Sequence, residues 1–508
     1  MADDLLLGLD VGTTNIKALI FTTNGALAAS ASIATPTERP QPGWAEHDPS
    51  ALWQAVVDVI RRALASIDEP RRVRGLAVAS VGEAGVLVDA SGAPLTPIIA
   101  WYDRRTAPYV QRWNVHDDPL ETFRLTGMLP VPIYGVFKLQ WLRDYEPDGY
   151  AAATTWLHVA DYIAFRLCGA RTTDYSLASR SMLFDLRARR WSDVLIDRAG
   201  LRGDLLPEPV ASGTRIGVVT PEAAAATGLA PGTVVGAGGH DHVCGALAAD
   251  VRRAGDCLDS MGTAEAAFLP LDDVPLDERL FIANVSSWTH VTFGAHVARD
   301  RYYVMDGLFS SGAAVEWMRG IVAPGALLHA AVAEIEALAV AAPPGSLGVL
   351  FLPHLTAGER GAFVGLTVSS GRAALARAVY EGLAFEWRHM LDHMEQMLGM
   401  RARTIRAIGG GTRLPVWMGI KAHVLGRPIQ VLDIDESVAL GAAALGGIAA
   451  GVYGSEDEAV GALRVCARTV APDDALHALY ERIYREAFLR LAPALALVHT
   501  ALNELEMP

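Results

Sequence analysis

Two segments far apart in the chain share one pattern, in which an apolar strand ends in polar residues and a short glycine–threonine turn follows. Residues 7–10 (LGLD) precede the turn 11–13 (VGT), and residues 257–260 (CLDS) precede the turn 261–263 (MGT). A strand–turn unit that recurs in both halves of a 508-residue chain predicts two similar lobes. Ligand donors on both turns would then face a cleft between the lobes.

The boundary between the lobes has no Pro- or Ser-rich linker to mark it. We predict one lobe at residues 1–245 and a second at residues 246–508. A short crossing at residues 244–256 would join them. This crossing is predicted to act as a hinge that lets the cleft close.

The signals for secondary structure are mixed along the chain, and they predict an α/β fold. Apolar runs bounded by turn residues predict strands at 5–9, 16–22, 26–34, 73–80 and 404–408, and a hairpin of 86–88 with 97–99. Two helical patterns are clear, one from Asp48-Pro49 to about residue 67 and one from near Ser370 to Gly399.

Composition and charge exclude several kinds of protein. Hydrophobic residues make up 51% of the chain, but no stretch approaches the ~20 apolar residues that span a bilayer, so no membrane partner is expected. The chain begins with acids (MADD) rather than with the basic residues of a secretory signal, which predicts a cytoplasmic protein. A net charge of −14 would repel nucleic acid. Cys168, Cys244, Cys257 and Cys466 have no metal-ligand spacing.

The first turn has the residues expected of a phosphate-binding loop. Gly12 lets the backbone approach phosphate oxygens, and Thr13 and Thr14, which precede Lys17, offer hydroxyl and amide donors. Asp10, at the end of the strand, is a carboxylate that can hold Mg²⁺ through water. The alternative is an ordinary hairpin turn, because a short D-x-G-T pattern is common turn chemistry.

Two further glycine-containing segments are predicted to complete a nucleotide site. Gly262 and Thr263 form the second turn, and Gly410 and Gly411 lie in a glycine run after the predicted strand 404–408. Phosphates held between two lobes need donors from both sides, and the two turns supply them. Successive glycines lose much backbone entropy on folding, which favours close approach of a ligand over a flexible loop.

An acidic residue at the exit of a glycine-rich strand is the candidate general base. Asp241 would accept the proton of an attacking hydroxyl at the mouth of the cleft. Gly236 and Gly238 do not make a dinucleotide-binding fingerprint, because Asp241 stands where the third glycine belongs. His240 and His242 are predicted to be structural, since neighbours in an extended segment point to opposite sides and no third metal ligand is near in sequence.

An aromatic and acidic segment, AWYDRRT, predicts the sugar site. Sugar C–H faces stack on aromatic rings while sugar hydroxyls donate to carboxylates, so Trp101, Asp103 and the upstream Glu83 are candidate substrate contacts. The alternative for Glu83 is an ion pair with an arginine such as Arg104 that only supports the fold. For Arg104 and Arg105 we favour a solvated helix start capped by Asp103.

Taken together, these segments resemble the FGGY carbohydrate kinases, whose fold is two actin-like, ribonuclease H-like ATPase lobes around a central cleft. The resemblance covers nearly the whole chain and rests, in order, on GLDVGTTNIK, PGWAEHDP, AWYDRRT, FKLQWL, GAGGHDHVCGAL, SMGTAE, GAFVGLT with ARAVYEGLAF, and GGGTRLPVW with ALGAAALG. The single motifs are weak, but their joint order is specific. The resemblance implies transfer of the γ-phosphoryl group of ATP, with Mg²⁺, to a hydroxyl of a small sugar or polyol.

The resemblance also implies that the lobe at 1–245 holds the sugar site and the catalytic base and that the lobe at 246–508 binds the nucleotide, and it implies roles for single residues. Asp241 matches the catalytic base and Asp10 the Mg²⁺-associated acid, while the positions that match the nucleotide loops are Thr13, Thr14, Gly262, Thr263, Gly410 and Gly411. Glu83-Ala84 departs from the Met-His of xylulokinase-like members and from the Arg-Glu of glycerol kinases. His242, a further candidate substrate contact, stands where both groups place Asn or Gln beside the base.

The predicted substrate is a neutral open-chain ketose or polyol of about five carbons, such as xylulose, because Glu83, Asp103 and Asp241 would place three carboxylates near the ligand. A hexulose, gluconate or glycerol is the alternative. An actin- or Hsp70-like ATPase that acts on a partner protein would share the phosphate loops, but the AWYDRRT segment and Asp241 favour the kinase. The oligomeric state is open, with a homodimer among the options.

Overall fold

The computed structural model describes residues 4–116, 118–322, 328–355 and 360–505. Its strands are β1 (Leu5–Val11), β2 (Asn15–Thr22), β3 (Leu27–Ala34), β4 (Glu46–His47), β5 (Val73–Ser80), β6 (Gly85–Val88), β7 (Ile98–Ile99), β8 (Thr155–His158), β9 (Thr172–Asp174), β10 (Phe184–Asp185), β11 (Arg190–Trp191), β12 (Glu208–Val210), β13 (Arg215–Val218), β14 (Val234–His240), β15 (Asp256–Met261), β16 (Glu265–Leu271), β17 (Thr292–Ala295), β18 (Tyr302–Leu308), β19 (Leu350–Leu352), β20 (Ala362–Val364), β21 (Thr404–Ile408), β22 (Ile429–Leu432) and β23 (Ala467–Val470).

Its helices are α1 (Pro49–Leu64), α2 (Ala107–His116), α3 (Pro119–Thr126), α4 (Gly135–Tyr145), α5 (Pro147–Ala152), α6 (Val159–Cys168), α7 (Tyr175–Ser179), α8 (Asp193–Ala199), α9 (Pro221–Thr227), α10 (Asp241–Ala248), α11 (Glu278–Val285), α12 (Ser311–Val322), α13 (Leu328–Ala341), α14 (Arg372–Leu398), α15 (Pro415–Leu425), α16 (Ser437–Ala449), α17 (Glu456–Ala462), α18 (Asp474–Glu486) and α19 (Leu491–Glu504). In the described part of the chain, none of them combines the length and the apolar character that crossing a bilayer requires.

The first half of the chain builds a six-stranded sheet in the order β13-β14-β5-β1-β2-β3. β1 and β2 are antiparallel, whereas β1, β5 and β14 run parallel to one another. Their carboxyl ends lie side by side, with Val11 opposite Ser80 and Ser80 opposite His240. Ligands of open α/β sheets bind beyond the carboxyl ends of parallel strands, so this edge is where a site is expected.

The second half builds a seven-stranded sheet in the order β17-β18-β16-β15-β21-β22-β23. β15 pairs antiparallel with β16 and parallel with β21, as β1 does with β2 and β5. The repeat predicted from the two glycine–threonine turns is therefore confirmed: each turn connects the first two strands of its own sheet. The α/β class with two similar lobes is confirmed as well.

Helix α16 belongs by sequence to the second half but packs on β1, β5 and β14 of the first sheet and against α10. A Cβ on Gly8 would lie 1.8 Å from the carbonyl oxygen of Ala439, and a Cβ on Gly441 would lie 1.9 Å from that of Cys244. Both glycines are thus required by close approach. The two halves share an apolar core around α10 and α16, and the position of the hinge at 244–256 stays a prediction.

Several local predictions are confirmed, and one is wrong. Helix α1 begins after Asp48, whose Oδ1 accepts from the N–H of Ala51 (2.7 Å), and α14 ends at Gly399 in the left-handed region. The strand at 404–408 has the bounds of β21. The hairpin of 86–88 with 97–99 does not form, because the buried strand β6 pairs instead with β8 while β7 pairs with β4. Both partners are remote in sequence.

Candidate active site

Two predicted site carboxylates, Asp10 and Asp241, meet at the carboxyl edge of the first sheet. Burial and, to a smaller extent, the charge of Asp241 together raise the pKa of Asp10 to about 7, although Lys17 opposes the rise. Burial also raises the pKa of Asp241, against the lowering effect of His242. Two carboxylates in such an arrangement repel each other, so the site favours a bound cation or a proton.

The backbone turns sharply at Asp241, because strand β14 ends at His240 and helix α10 begins at the next residue. The N–H of His242 donates to Asp241 Oδ1 (2.6 Å), and His240 Nε2 lies 3.3 Å from the same oxygen. The prediction that the two histidines point to opposite sides is wrong, since their rings are 5.6 Å apart. Burial lowers the pKa of His240 well below its ordinary value, so this ring is neutral at pH 7.

Glu83 lies beside this edge, in the loop that follows β5, and adopts a left-handed backbone conformation (φ 63°) that is uncommon for a residue with a side chain. Its Oε1 accepts from Arg180 Nε (2.6 Å). The charges of Glu83 and Arg180 both act on the pKa of Asp241, which places the pair near the candidate base. The alternative of a supporting ion pair is thus realised, but with Arg180 rather than with Arg104.

Trp101 connects the predicted sugar segment to the first phosphate turn. Its indole N–H donates to Thr13 Oγ1 (2.9 Å), and its ring lies 6.0 Å from that of Phe309, which belongs to the second half and is half exposed. Trp101 therefore borders both the turn and the opposite lobe. Tyr102 packs edge-on against it, with 5.5 Å between the ring centroids.

Asp103 was predicted to contact the sugar, but its oxygens are used within the fold. Its oxygens accept from the N–H of Ala45 (2.6 Å) and from the backbone and guanidinium of Arg105 (2.8–3.0 Å), so they support the fold. Arg105, predicted to be solvated, is buried: it also pairs with Glu46 (2.8 Å), and its guanidinium lies 3.9 Å from the ring centroid of Trp44. The carboxylates and the ring offset the desolvation of the guanidinium. Arg104 is exposed, as predicted.

The predicted phosphate turn at residues 11–14 is held by its own backbone. The N–H of Gly12 donates to the carbonyl of Asn15 (3.0 Å), and Thr35 Oγ1 donates to the carbonyl of Gly12 (2.8 Å), which leaves Thr14 exposed at the tip. Lys17 pairs across the lobes, since its Nζ donates to Glu436 Oε2 (2.7 Å) just before α16. The predicted phosphate contact of Lys17 would therefore compete with this ion pair.

The second turn and the glycine run leave adjacent parallel strands, because Ser260 of β15 is opposite Ile408 of β21. Gly262 and Thr263 are exposed, and so is Gly410, around which a Cβ would meet no atom within 4 Å. Gly409 has a φ of +94°, and a Cβ there would lie 2.5 Å from the carbonyl oxygen of Met261. The structure thus brings the predicted nucleotide residues of the second half together.

A buried ionic cluster lies directly behind the second turn. Lys421 Nζ contacts both Asp259 and Glu265, which flank the turn on β15 and β16. Burial alone would lower the pKa of Lys421, but the two carboxylates raise it. Ser311 Oγ, at the start of α12, donates to Glu265 Oε2 (2.5 Å). The cluster fixes the turn to two helices, and removal of one partner would leave a buried charge unpaired.

Sequence reasoning did not find four residues that complete these contacts: Arg180, Lys421, Glu436 and Ser311. Each lies far along the chain from its partner, for example 97 residues in the case of Arg180 and Glu83. The sequence near each site gave only one sign of a buried polar partner, which is a polar residue within an apolar strand, such as Asp259 in CLDSM. Among the described residues, no group of three His, Cys, Asp or Glu side chains could hold a metal ion on its own.

Comparison with known proteins identifies the fold and its chemistry. Residues 5–248 match the N-terminal domain of the FGGY family of carbohydrate kinases, and residues 258–450 match its C-terminal domain. The chain is 32% identical to a glycerol kinase of Gloeobacter violaceus (90% of each chain covered) and 30% identical to a xylulose kinase of Klebsiella pneumoniae (97% and 100% covered). A solved xylulose kinase from Rhodospirillum rubrum superposes with a TM-score of 0.87 at 31% identity, over 98% of this chain and 100% of that one. The chain therefore belongs to the FGGY family of carbohydrate kinases and is an ATP-dependent kinase of a sugar or polyol.

Proposed function

We propose that this kinase phosphorylates a neutral open-chain ketose or polyol of about five carbons, such as xylulose, with Asp241 as the general base. The observation that carries the proposal is the ion pair of Glu83 and Arg180 beside Asp241. A hydroxyl both donates and accepts hydrogen bonds, and the pair offers a carboxylate and a guanidinium within one small region. Asp241 then takes the proton of the attacking hydroxyl.

The charge of the site supports a neutral substrate, although for a reason that differs from the sequence prediction. Asp103 is neutralised by Arg105 and Glu83 by Arg180, so three free carboxylates do not surround the ligand. Asp241 and Asp10 remain, and both have a pKa raised by burial. An anionic sugar such as gluconate would add charge to this pair, whereas a polyol or ketose would not.

For ATP, we propose that Thr13 and Thr14 contact the phosphates from the first lobe, with Lys17 near them. From the second lobe, the proposed contacts are Gly262, Thr263, Gly410 and Gly411. The two sets leave the carboxyl edges of the two sheets, where backbone amides are available. Such contacts would stabilise the charge of the transferred phosphoryl group without covalent chemistry by the protein.

Magnesium fits this site at Asp10. The carboxylate is crowded by Asp241 and Glu436. Lys17, the one cation among the described residues that acts on it, is already paired with Glu436. Mg²⁺ usually takes one or two protein carboxylates and fills its remaining positions with phosphate oxygens and water. When bound, the ion would neutralise the phosphate charge. Asp10 would hold it on the first lobe.

The names of relatives support two substrates. The xylulose kinase of Klebsiella pneumoniae is 30% identical and the solved one from Rhodospirillum rubrum is 31% identical, while the glycerol kinase of Gloeobacter violaceus is 32% identical. Glycerol is therefore the second candidate. An L-fuculokinase of Salmonella typhi is 29% identical, which is a reason to test other sugars as well.

The test is ADP release with D-xylulose, L-fuculose, D-fructose, gluconate and glycerol. With the preferred sugar, Glu83→Ala should lower kcat/KM by about ten- to a hundredfold, since a hydrogen bond to a charged acceptor contributes ~1.5–3 kcal/mol. The kcat/KM of Glu83→Gln should fall between the values of the wild-type protein and of Glu83→Ala. Glu69→Ala, an exposed control, should leave kcat/KM unchanged. Gluconate outperforming D-xylulose would overturn the proposed substrate class. Loss of thermal stability in Glu83→Ala with unchanged sugar kinetics would remove Glu83 from the site.

A further inference from the structure

Arg180 is a buried arginine that makes contacts in both halves of the chain. It follows helix α7, and only 5% of its side chain is exposed. Towards the first half, its Nε donates to Glu83 Oε1 (2.6 Å), and its Nη2 contacts the same oxygen. Towards the second half, its Nη1 donates to Thr292 Oγ1 (3.1 Å) on β17. One guanidinium thus joins the loop after β5 to the second sheet.

Two tyrosines surround the same guanidinium. The ring of Tyr134 lies 5.4 Å from it, and Tyr303, on β18, is fully buried. Burial is the main cause that raises the pKa of Tyr303 to about 12, and the charge of Arg180 acts in the opposite direction, since the guanidinium lies close to this hydroxyl. Arg180 therefore sits in a polar environment that both halves supply.

The strands that Arg180 contacts lead directly to the second phosphate turn. Gly294 of β17 is opposite Tyr303 of β18, and Leu308 of β18 is opposite Glu265 of β16. Strand β16 begins two residues after Thr263. Ladder hydrogen bonds join these strands from β17 to β16, so they form a continuous path from Thr292 to the turn.

We propose that Arg180 is a positioning residue that ties the sugar contact Glu83 to the sheet that carries the second phosphate turn, so that sugar and nucleotide strengthen each other's binding. This inference rests on the proposed function, in which Glu83 accepts a sugar hydroxyl. Because Arg180 uses Oε1 of Glu83, Oε2 is the oxygen that would accept the sugar. A sugar that fixes this carboxylate also fixes the guanidinium and, through Thr292, the second sheet. Coupling of this kind is reciprocal between the two ligands.

The test measures the affinity for AMP-PNP by calorimetry, with and without saturating D-xylulose. In the wild-type protein we expect D-xylulose to tighten AMP-PNP binding at least about fivefold, the lower end of typical coupling between sites. Thr292→Val keeps the shape of the side chain but removes the acceptor, and it should reduce this factor to less than about twofold. Thr292→Ser keeps the hydroxyl and should retain the wild-type factor.

A purely structural role would give a different result. Thr292→Val would then lower the melting temperature while the coupling factor stayed as in the wild-type protein, and that outcome would overturn the inference. A wild-type protein that binds both ligands without coupling would overturn it too. As a second variant, Arg180→Lys keeps the charge but loses the forked contact to both halves, so its coupling factor should also fall. Wild-type coupling in Arg180→Lys would count against the proposal.

The proposed function is tested by a separate measurement, which is ADP release with the sugar panel. If no sugar of the panel supports ADP release by the wild-type protein, the proposed substrate class is wrong whatever the coupling measurement gives. If D-xylulose is turned over, Asp241→Asn shows the expected loss of kcat and Thr292→Val keeps full coupling, only the role of Arg180 is wrong.

Discussion

At the scale of single residues, the carboxylates of the site differ in whether an arginine pairs with them. Glu83 and Asp103 each pair with an arginine. In the described chain, Asp241 instead contacts the N–H of His242 (2.6 Å) and His240 Nε2 (3.3 Å), and no arginine pairs with it. A carboxylate without an arginine partner remains basic enough to accept a proton near neutral pH. Asp241 is thus the acid whose surroundings suit a general base.

We expect Asp241→Asn to fold normally and to lose about 10²- to 10⁴-fold in kcat, the usual contribution of a positioned base. The affinity for ATP should be unchanged, because the proposed phosphate contacts come from other residues. Steady-state ADP release and nucleotide titration measure the two quantities. The matched control is Asp193→Asn on the exposed start of α8. Near wild-type turnover in Asp241→Asn would exclude this residue as the base.

Asp10 gives a prediction about pH. Its pKa is about 7 in the folded protein, against an ordinary value of 3.8. The folded state therefore keeps a proton that the unfolded state has already released, and Asp10 lowers stability increasingly as the pH rises from about 4 to 7. Without Mg²⁺, Asp10→Asn should raise the free energy of unfolding more at pH 8 than at pH 5. Denaturant titrations at both pH values measure this, and an equal effect at both would show that the pKa of Asp10 is not raised by folding.

The residues of the turns could be predicted from sequence, since a phosphate loop is a local arrangement of glycine and hydroxyl residues. Glu83, Trp101 and Asp241 could be nominated for the same reason. Their partners could not, because Arg180, Glu436 and Thr292 meet them only after the sheets have formed. Asp103 was misassigned for a related cause: the sequence cannot reveal that Arg105 folds back onto it.

At the scale of secondary-structure elements, one helix with an unusually small surface packs across the boundary between the lobes. Helix α16 has the sequence SVALGAAALGGIA, and its glycines and alanines let the backbone approach β1, β5 and α10. A larger residue would meet backbone atoms, which cannot rotate away as a side chain can. The segment ALGAAALG is therefore explained by packing rather than by contact with a ligand.

Gly441→Ala should lower the free energy of unfolding by about 1–3 kcal/mol or more, because overpacking forces the backbone to shift. The new Cβ would lie 1.9 Å from the carbonyl oxygen of Cys244. Gly461→Ala on α17 is the matched control, since a Cβ there meets no atom within 4 Å. It should change stability by less than about 0.5 kcal/mol or increase it. Equal stability of the two variants would mean that α10 and α16 separate easily.

Elements with strong local signals were predictable, and elements defined by remote partners were not. Helix α14 has a long apolar pattern and a glycine stop, and β21 is an apolar run before a glycine run, so both had clear bounds in the sequence. The residues of β6 and β7 also look like strands, but the sequence does not say that β8 and β4 pair with them. Register between remote strands depends on the completed fold.

At the scale of the whole molecule, the two lobes are joined by polar contacts that lie near the site and by the core around α16. Lys17 with Glu436 (2.7 Å) and Arg180 with Thr292 (3.1 Å) both cross from one half to the other. Trp101 approaches Phe309 in the same region. These contacts involve side chains that would also meet ATP or the sugar. Ligands can therefore change the relative position of the lobes by replacing or strengthening them.

We expect the protein to become more compact when nucleotide and sugar bind together. Donors on both lobes would face one ATP molecule, so binding favours the arrangement in which the lobes are closest. X-ray scattering of Asp241→Asn with AMP-PNP, with D-xylulose, with both and with neither would measure the radius of gyration in a protein that does not turn over. The decrease should be larger with both ligands than the sum of the two separate decreases, because Arg180 would couple the sites. If calorimetry shows both ligands bound and the radius is the same in all four samples, the lobes do not move, and the hinge predicted at residues 244–256 is rejected.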